Sequence, residues 1–451
     1  MTEELPLRVK LGYALGDHSV NIQLAATSLF FLFFLTEVAG LAPALAGLVL
    51  WIGRAVDAFT DPAMGRLSDR TTWRLGRRRP FFLIGALPFG ATFALLWSAP
   101  DHASPYVLFG YFVAVYVANT LCSTVLAVPY MALLPEMALG YQERTSMNTW
   151  RMVAVLVAIL ATAVGMPWLV EAFGGGVSGY AGAGAIYGAW IALPWLVVYA
   201  VSWERSDFRR PGTDGFVAGM TRLAQHRSYR ILAGLFLAAR IAVDVVGALL
   251  LFYFTYWLGR PEDFPLAMAV MLGTAMLSLP GWLAVSRHVD KSTLFIAGVL
   301  WWIGVQFGIG LIEPDHPRLL VFLVLALAGI GYGMVDPMPW SRRGDVIDED
   351  EFVSGERREG VYAGFFTFVR KLGGASGVAV AGVVLQLAGF ERGGGEQSDT
   401  AIAAIRWLTA FAPAVALVCA AWIARRYPLS RSRHARMLAE LAKRRATVAQ
   451  G

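Results

Sequence analysis

Apolar residues along this chain gather into long unbroken runs, separated by short stretches in which arginine, aspartate, proline and glycine collect. A run of about 20 mostly apolar residues is long enough to cross a bilayer as a helix. Twelve qualify, at 11–36, 42–66, 80–99, 105–134, 149–172, 182–203, 230–258, 265–286, 293–312, 317–340, 361–388 and 402–425. In a bilayer core the backbone finds no water to bond, so only helices or a closed barrel can span it. Continuous apolarity without period-two alternation predicts helices, giving an all-α membrane protein.

The polar stretches alternate in sign. Arg66, Arg70, Arg74, Arg77, Arg78 and Arg79 follow span 2, Arg205, Arg209, Arg210, Arg222 and Arg227 follow span 6, and Arg342, Arg343, Arg357 and Arg358 follow span 10. The intervening turns carry mainly acids, among them Glu37, Asp101, Glu171, Glu262, Asp263, Glu313 and Glu391. The positive-inside rule therefore places both termini and the long 6–7 loop in the cytoplasm. The expected division is a six-helix half at 1–205, a linker loop at 206–228, a second six-helix half at 229–427, and a basic tail at 428–451.

The halves echo each other. Phe31–Gly40 (FLFFLTEVAG) and Leu250–Gly259 (LLFYFTYWLG) each close one span ahead of the next. Two parallel six-helix halves joined by a longer loop resemble the major facilitator fold. The loop after span 2, Gly65-Arg-Leu-Ser-Asp69-Arg70 and Gly76-Arg77-Arg78-Arg79, resembles that superfamily's signature loop. Asp69, Arg70, Arg77 and Arg78 are thus candidates for a conformational latch, against the plainer reading of a positive-inside loop.

Composition agrees with this picture: 57% of residues are hydrophobic and only 16% charged, against roughly 25% charged in soluble domains. The net charge of +6 belongs to the topological pattern and does not point to nucleic acid. Cys122 and Cys419 lie in apolar runs without metal-ligand spacing, and read as small buried hydrophobes. No nucleophile–base pair, phosphate loop or metal cluster suggests an enzyme, and no cofactor is implied. The first apolar run is too long for a signal-peptide core and reads as the first span.

An ionisable residue inside a span costs about 2.5–3.5 kcal/mol or more and calls for a reason. Asp57 and Asp61 in span 2 are four residues apart, hence on one face of one helix. Two like charges there are tolerable around a shared cation or proton, or beside a base. Carboxylate and hydroxyl oxygens suit a hard cation such as Na+; the alternative is a structural salt-bridge network to Arg54 or Lys371. In span 11, Lys371 is the candidate cavity-facing base and Arg370 its neighbour. Arg151 opens span 5 as a solute contact or an interface anchor. Arg240 and Asp244 in span 7 read as a local ion pair. Asp17, His18, Asn21 and Gln23 make the start of span 1 unusually polar, with Asn21 one turn beyond Asp17. Asp336, ahead of Pro337 and Pro339, marks an expected break in span 10, a binding or hinge position. Tyr130 and Trp340 are among the aromatics that could stack on a sugar, or else pack.

These pieces, in order, resemble the glycoside–pentoside–hexuronide:cation symporter family typified by the melibiose permease. The matching segments are Lys10-Leu-Gly-Tyr13-Ala-Leu-Gly16, Asp57-Ala-Phe-Thr-Asp61-Pro62, Val128-Pro129-Tyr130, Glu143-Arg144-Thr145-Ser146 and Trp150-Arg151-Met152. In the second half they are Gly344-Asp345-Val-Ile-Asp348, Arg357-Arg358-Glu359-Gly360 and Phe366-Thr-Phe-Val-Arg-Lys371. The resemblance implies that Asp57 and Asp61 hold the coupling cation with Thr124 beside them, that Arg151 contacts solute, and that Lys371 lies near the cation site. Two departures stand out: Asn21 and Ala127 occupy positions where the melibiose permease has sugar-binding aspartates. Alanine supplies no acceptor for a hydroxyl, so melibiose-like recognition is not expected.

The expected activity is cation-coupled (Na+ or H+) symport of a sugar or glycoside by alternating access, with Asp57, Asp61, Thr124 and Asn21 at the cation and Asn21, Arg151, Lys371, Tyr130 and Trp340 at the solute. The same resemblance extends to vertebrate sodium-dependent lysophosphatidylcholine symporters, and Ala127 would suit an amphiphile. A non-transporting membrane sensor is the third class. The expected setting is a bacterial inner membrane, as a monomer among lipids, with the tail from Ser430 to Arg445 against anionic headgroups.

Overall fold

The computed structural model describes residues 5–100, 103–138, 141–204, 225–286, 288–354, 359–429, 433–434 and 436–441. The linker up to residue 224, the pair Arg357–Arg358 and most of the basic tail lie outside them. Apart from a lone Trp73–Gly76 bridge, regular structure among the described residues is helical.

Among the described residues, ten helices are long and apolar enough to cross a membrane: Pro43–Arg70, Pro105–Met137, Ser146–Ala172, Gly176–Val201, Arg227–Trp257, Pro261–Ser286, Lys291–Leu311, Arg318–Val353, Phe366–Leu387 and Asp399–Ala424. An eleventh is the pair Leu7–Leu29 and Phe31–Val38, bent by 49° at Phe30. The remaining apolar helix, Pro80–Leu96, is shorter, at 17 residues, or about 26 Å at 1.5 Å per residue. The twelve expected runs thus each coincide with a helix, one of them shorter than a standard span. Several helices outrun their apolar part: the one containing span 5 begins at Tyr141, and span 10 continues to Ser354. Helical hydrogen bonding extends into polar sequence, whereas hydropathy reads only the portion suited to lipid.

Local sequence explains the starts. Pro43, Pro80 and Pro105 occupy first-turn positions, where a missing N–H costs no helical bond. Ser104 accepts from the Val107 amide and Asp290 from Ser292, capping spans 4 and 9. Span 10 differs from expectation. Asp336 alone interrupts it, with helical dihedrals (φ −72°, ψ −44°) and its amide bonded to the Tyr332 carbonyl at 3.1 Å. The prolines remove later amides without breaking the helix apart.

The internal echo is reproduced in backbone geometry. Span 1 ends in a π-helical turn, Phe34–Val38, and span 7 in another, Tyr253–Trp257. In the first, Ala39 N–H bonds to Phe34 O and Leu41 N–H to Leu35 O, each at 2.8 Å. In the second, Leu258 N–H bonds to Tyr253 O at 3.0 Å and Arg260 N–H to Phe254 O at 2.8 Å. Gly40 (φ 72°) and Gly259 (φ 65°) close both turns in the left-handed region that side chains avoid. Every partner in the second turn lies 219 residues beyond its counterpart in the first.

The chain divides into two compact units. One comprises Met1–Thr213 with Leu250–Phe252 and Val378–Ile402; the other comprises Asp214–Leu249, Tyr253–Gly377 and Ala403–Gly451. In the first, span 1 packs on spans 5 and 6, span 2 on span 4, and span 3 on spans 4 and 6. Gly90 and Gly188 let spans 3 and 6 cross backbone to backbone. In the second unit, span 10 packs between spans 8 and 9.

Candidate functional site

Span 2 brings Asp57 and Asp61 onto one face, and span 4 places Thr124 against both. The Thr124 hydroxyl lies 2.8 Å from Asp57 Oδ1 and 3.1 Å from Asp61 Oδ1. Asp57 and Thr124 are buried, at 6% and 3% exposure. A hydroxyl carries one proton and an ionised carboxylate only accepts. Thr124 can therefore donate fully to one aspartate, and its second contact sets oxygen against oxygen unless a carboxyl proton or a cation joins the group. Among the described residues no cluster of three or more His, Cys, Asp or Glu has metal-holding geometry. Two carboxylates with a neutral hydroxyl are a weak-field oxygen set, suited to a monovalent hard cation or a proton.

A second polar cluster is built around Asp17. Its carboxylate accepts from Arg151 twice, from Nε to Oδ2 and from Nη2 to Oδ1 at 3.1 Å, and from the Tyr130 hydroxyl at 2.7 Å. The Tyr130 hydroxyl also lies 2.9 Å from the Tyr13 carbonyl, and the two rings stack 4.3 Å apart. Gly16 makes the room: a Cβ there would sit 2.6 Å from the Tyr130 ring. Arg151 is further steered by Asn148 Oδ1 at 3.0 Å and lies over the Tyr130 ring at 5.3 Å. Asn21 turns its amide back to the Asp17 carbonyl at 2.8 Å, one helical turn earlier. The carboxylate absent at position 21 is thus present at Asp17. Sequence reasoning noted Asp17 as polar but did not list it among the site residues. The signal available was its i, i+4 relation to Asn21 and a buried arginine needing a partner.

Both clusters are read from span 4. Thr124 and Tyr130 are six residues apart, about 9 Å along a helix, with Pro129 between them. Proline removes an amide donor there, leaving this stretch of span 4 more able to bend.

The signature loop is tied down within the first unit. Arg78 donates to Asp69 at 2.6 Å, to the Ala132 carbonyl at 2.7 Å, and to Glu136, which also receives Arg77. Glu204 accepts the backbone amides of Arg77, Arg78 and Arg79 at 2.8, 2.8 and 2.9 Å, capping the start of span 3. Arg70 is exposed at the end of span 2. Glu136 and Glu204 are contributors the sequence reading did not name.

The other expected residues lie in the second unit. Trp340 packs edge-on against Phe236 and Phe366. Lys371 is half-buried on span 11. Asp336 accepts from Arg240 at 2.9 Å, so the expected local pair of Arg240 and Asp244 is one part of a larger cluster.

A helical membrane protein with buried carboxylate sites and an internal repeat belongs to the class of multi-pass transporters, not enzymes. The model of the MFS/sugar transport protein family matches residues 12–431, and the chain belongs to that family. It is 30% identical to an inner membrane symporter of Escherichia coli, covering 94% of this chain and 92% of that one. It is 28% identical to a glucuronide carrier protein homolog of E. coli (99% and 97% covered). With a sodium-dependent lysophosphatidylcholine symporter of Danio rerio it shares 26% identity (94% and 86% covered). The crystal structure of a D-xylose–proton symporter superposes with a TM-score of 0.63 over 91% of this chain and 95% of that one, at 15% identity, which bears on the fold alone.

Proposed function

We propose that this chain is a secondary active symporter that couples a monovalent cation to uptake of a sugar or glycoside by alternating access. The observation that carries the reading is the Thr124 hydroxyl held between Asp57 and Asp61. These two carboxylates and one hydroxyl offer clustered oxygen donors, among which a sodium ion or a proton binds. Binding of the cation neutralises the pair, straightens the competing contacts on span 4, and so bears on Tyr130 and Arg151 six and more residues away. Linkage requires that solute and cation then tighten each other's binding equally. Arg151, held by Asp17, presents its remaining donor edge to solute, with Asn21 and Tyr130 beside it. Lys371 and Trp340 act from the second half, Asp69, Arg70, Arg77 and Arg78 serve the conformational cycle, and Asp336 holds a binding or hinge position. The setting is a bacterial inner membrane, with both termini cytoplasmic and the chain acting as a monomer.

The relatives' names support a second cargo. A lysophospholipid would use the same cation site, and Ala127 leaves an apolar surface on span 4 for its chain.

The test is uptake into proteoliposomes of a panel of glycosides and a labelled lysophosphatidylcholine, under an inward sodium gradient or a pH gradient. Glycoside uptake driven by sodium, abolished in Asp57→Asn and needing about tenfold more sodium in Thr124→Val, is the expected result, since a lost ligand of that kind is worth roughly 1.4 kcal/mol. Lysolipid uptake alone transfers the cargo. Gradient-independent uptake in both wild type and Asp57→Asn removes the coupling assignment.

A further inference from the structure

The second unit holds a buried ion cluster of its own. Arg240, on span 7, reaches in two directions. Its Nε donates to Asp244 Oδ2 at 3.2 Å and its Nη2 to Asp244 Oδ1, while Nη1 donates to Asp336 Oδ1 at 2.9 Å. Asp244 is pinned on its other side by span 11, where a Cβ at Gly374 would overlap its carboxylate. Asp336 is held more loosely, by one bond to Arg240 at the interruption in span 10, and its side chain is 24% exposed against 10% for Asp17. A charged group at membrane depth does not face lipid. An exposed carboxylate there is therefore one that meets water or a polar solute.

The internal repeat ties this cluster to the first unit. The interval of 219 residues between the two π-turns carries Asn21 onto Arg240 by sequence position. It also carries Arg151 onto Arg370, which lies near the start of span 11 as Arg151 does in span 5. Arg370, Arg240, Asp244 and Asp336 all act electrostatically on Tyr332, so they share one neighbourhood. Of these positions, Arg151 and Arg370 alone repeat the same residue type at the 219-residue interval, while each half carries its own buried arginine–aspartate contact.

We propose that Arg240, Asp244 and Asp336 form a second solute-contact cluster, in the C-terminal half, suited to an uncharged hydroxyl-rich solute and not to an anionic one. This deepens, and rests on, the sugar reading above. Three of the five N–H groups of Arg240 serve the chain's own carboxylates, two carboxylates to one guanidinium, as Arg151 serves Asp17. Arg370 and Lys371 have partners too. A solute carboxylate taking a remaining N–H of Arg240 would set a third negative charge around one guanidinium, which is repulsive. A sugar hydroxyl brings no charge: it accepts from a remaining N–H of Arg240 while donating to the free lone pairs of Asp336. Asp244, bidentate and wedged against Gly374, is the positioning residue; Asp336 is the contact.

The experiment offers wild-type proteoliposomes equal concentrations of methyl glucoside, methyl galactoside, methyl xyloside and methyl glucuronide under an inward cation gradient, with uptake read by mass spectrometry. Wild type is expected to accumulate a neutral glycoside at least about tenfold over the glucuronide, a discrimination typical of a site that would leave a buried charge unmatched. Asp336→Asn raises KM for the neutral glycoside about tenfold with the maximal rate changed less than about twofold, and it raises the glucuronide share by opening Nη1 of Arg240. Asp336→Glu, which keeps the charge should the asparagine variant fail to fold, shifts KM at least about threefold and still excludes glucuronide. A wild type that prefers glucuronide, or variants with unchanged KM and unchanged selectivity, overturns the cluster assignment while leaving coupled sugar transport standing. A wild type that accumulates none of the four compounds removes the sugar reading, and the cluster's role with it.

Discussion

Replacing Asp17 by asparagine keeps the side chain's shape and removes its charge. Arg151, only 14% exposed, then stays buried without the carboxylate that now accepts two of its N–H groups. Stripping one partner from a buried ion pair costs about 3–5 kcal/mol, and an uncompensated charge inside a membrane helix about 2.5–3.5 kcal/mol. Both lines place the loss near 3 kcal/mol. For a unit of roughly 200 residues each kcal/mol moves the melting midpoint by about 2–4 °C, so the purified variant should melt about 6–12 °C below wild type when followed by intrinsic fluorescence in detergent. Arg151→Gln should cost less, because Asp17 keeps the Tyr130 hydroxyl at 2.7 Å. The double variant decides the matter. With neither charge left unmatched, it should recover about 1.5–3 kcal/mol relative to the sum of the singles. Strict additivity, with the double variant melting at the summed depression, would show that the pair is not a coupled unit and would refute the reasoning.

Glu204→Gln should loosen the start of span 3, since the amide cannot hold three backbone N–H groups with a full charge; a loss of about 1–2 kcal/mol should appear as faster hydrogen exchange at Arg77–Arg79, and unchanged exchange there would remove the capping role. Gly40→Ala and Gly259→Ala should each cost about 1 kcal/mol or more, because alanine is strained at positive φ. The two losses should be similar in thermal scans, and a neutral effect at one site alone would show that the turns are not equivalent.

Much of this was legible along the chain. A bilayer forces helices and sets the length of their apolar part, so each apolar run coincides with a helix among the described residues, although several helices run on into polar sequence. Asp57 and Asp61 were legible for the same reason: four residues apart on one helix, they must share a face. What hydropathy could not supply was contact between distant segments. The pairing of Asp17 with Arg151 joins residues 134 apart in sequence, and hydropathy does not say which helices meet. Arg240 and Asp244 satisfied each other at i, i+4 on paper, which hid the reach of Arg240 to Asp336, 96 residues on. Pro337 and Pro339 promised a broken helix, yet neighbouring turns kept Asp336 at helical dihedrals.

The twin π-turns bear on how the chain came to be. A π-turn holds one residue more than the α-helical turn it replaces. Two independent insertions would have had to strike the same register in both halves and recruit the same closing glycine. One insertion in a six-helix ancestor, copied when that ancestor's gene was duplicated and fused, accounts for both at once. On that account the turns predate the two-part protein, and the 219-residue interval between them is the length of the duplicated unit.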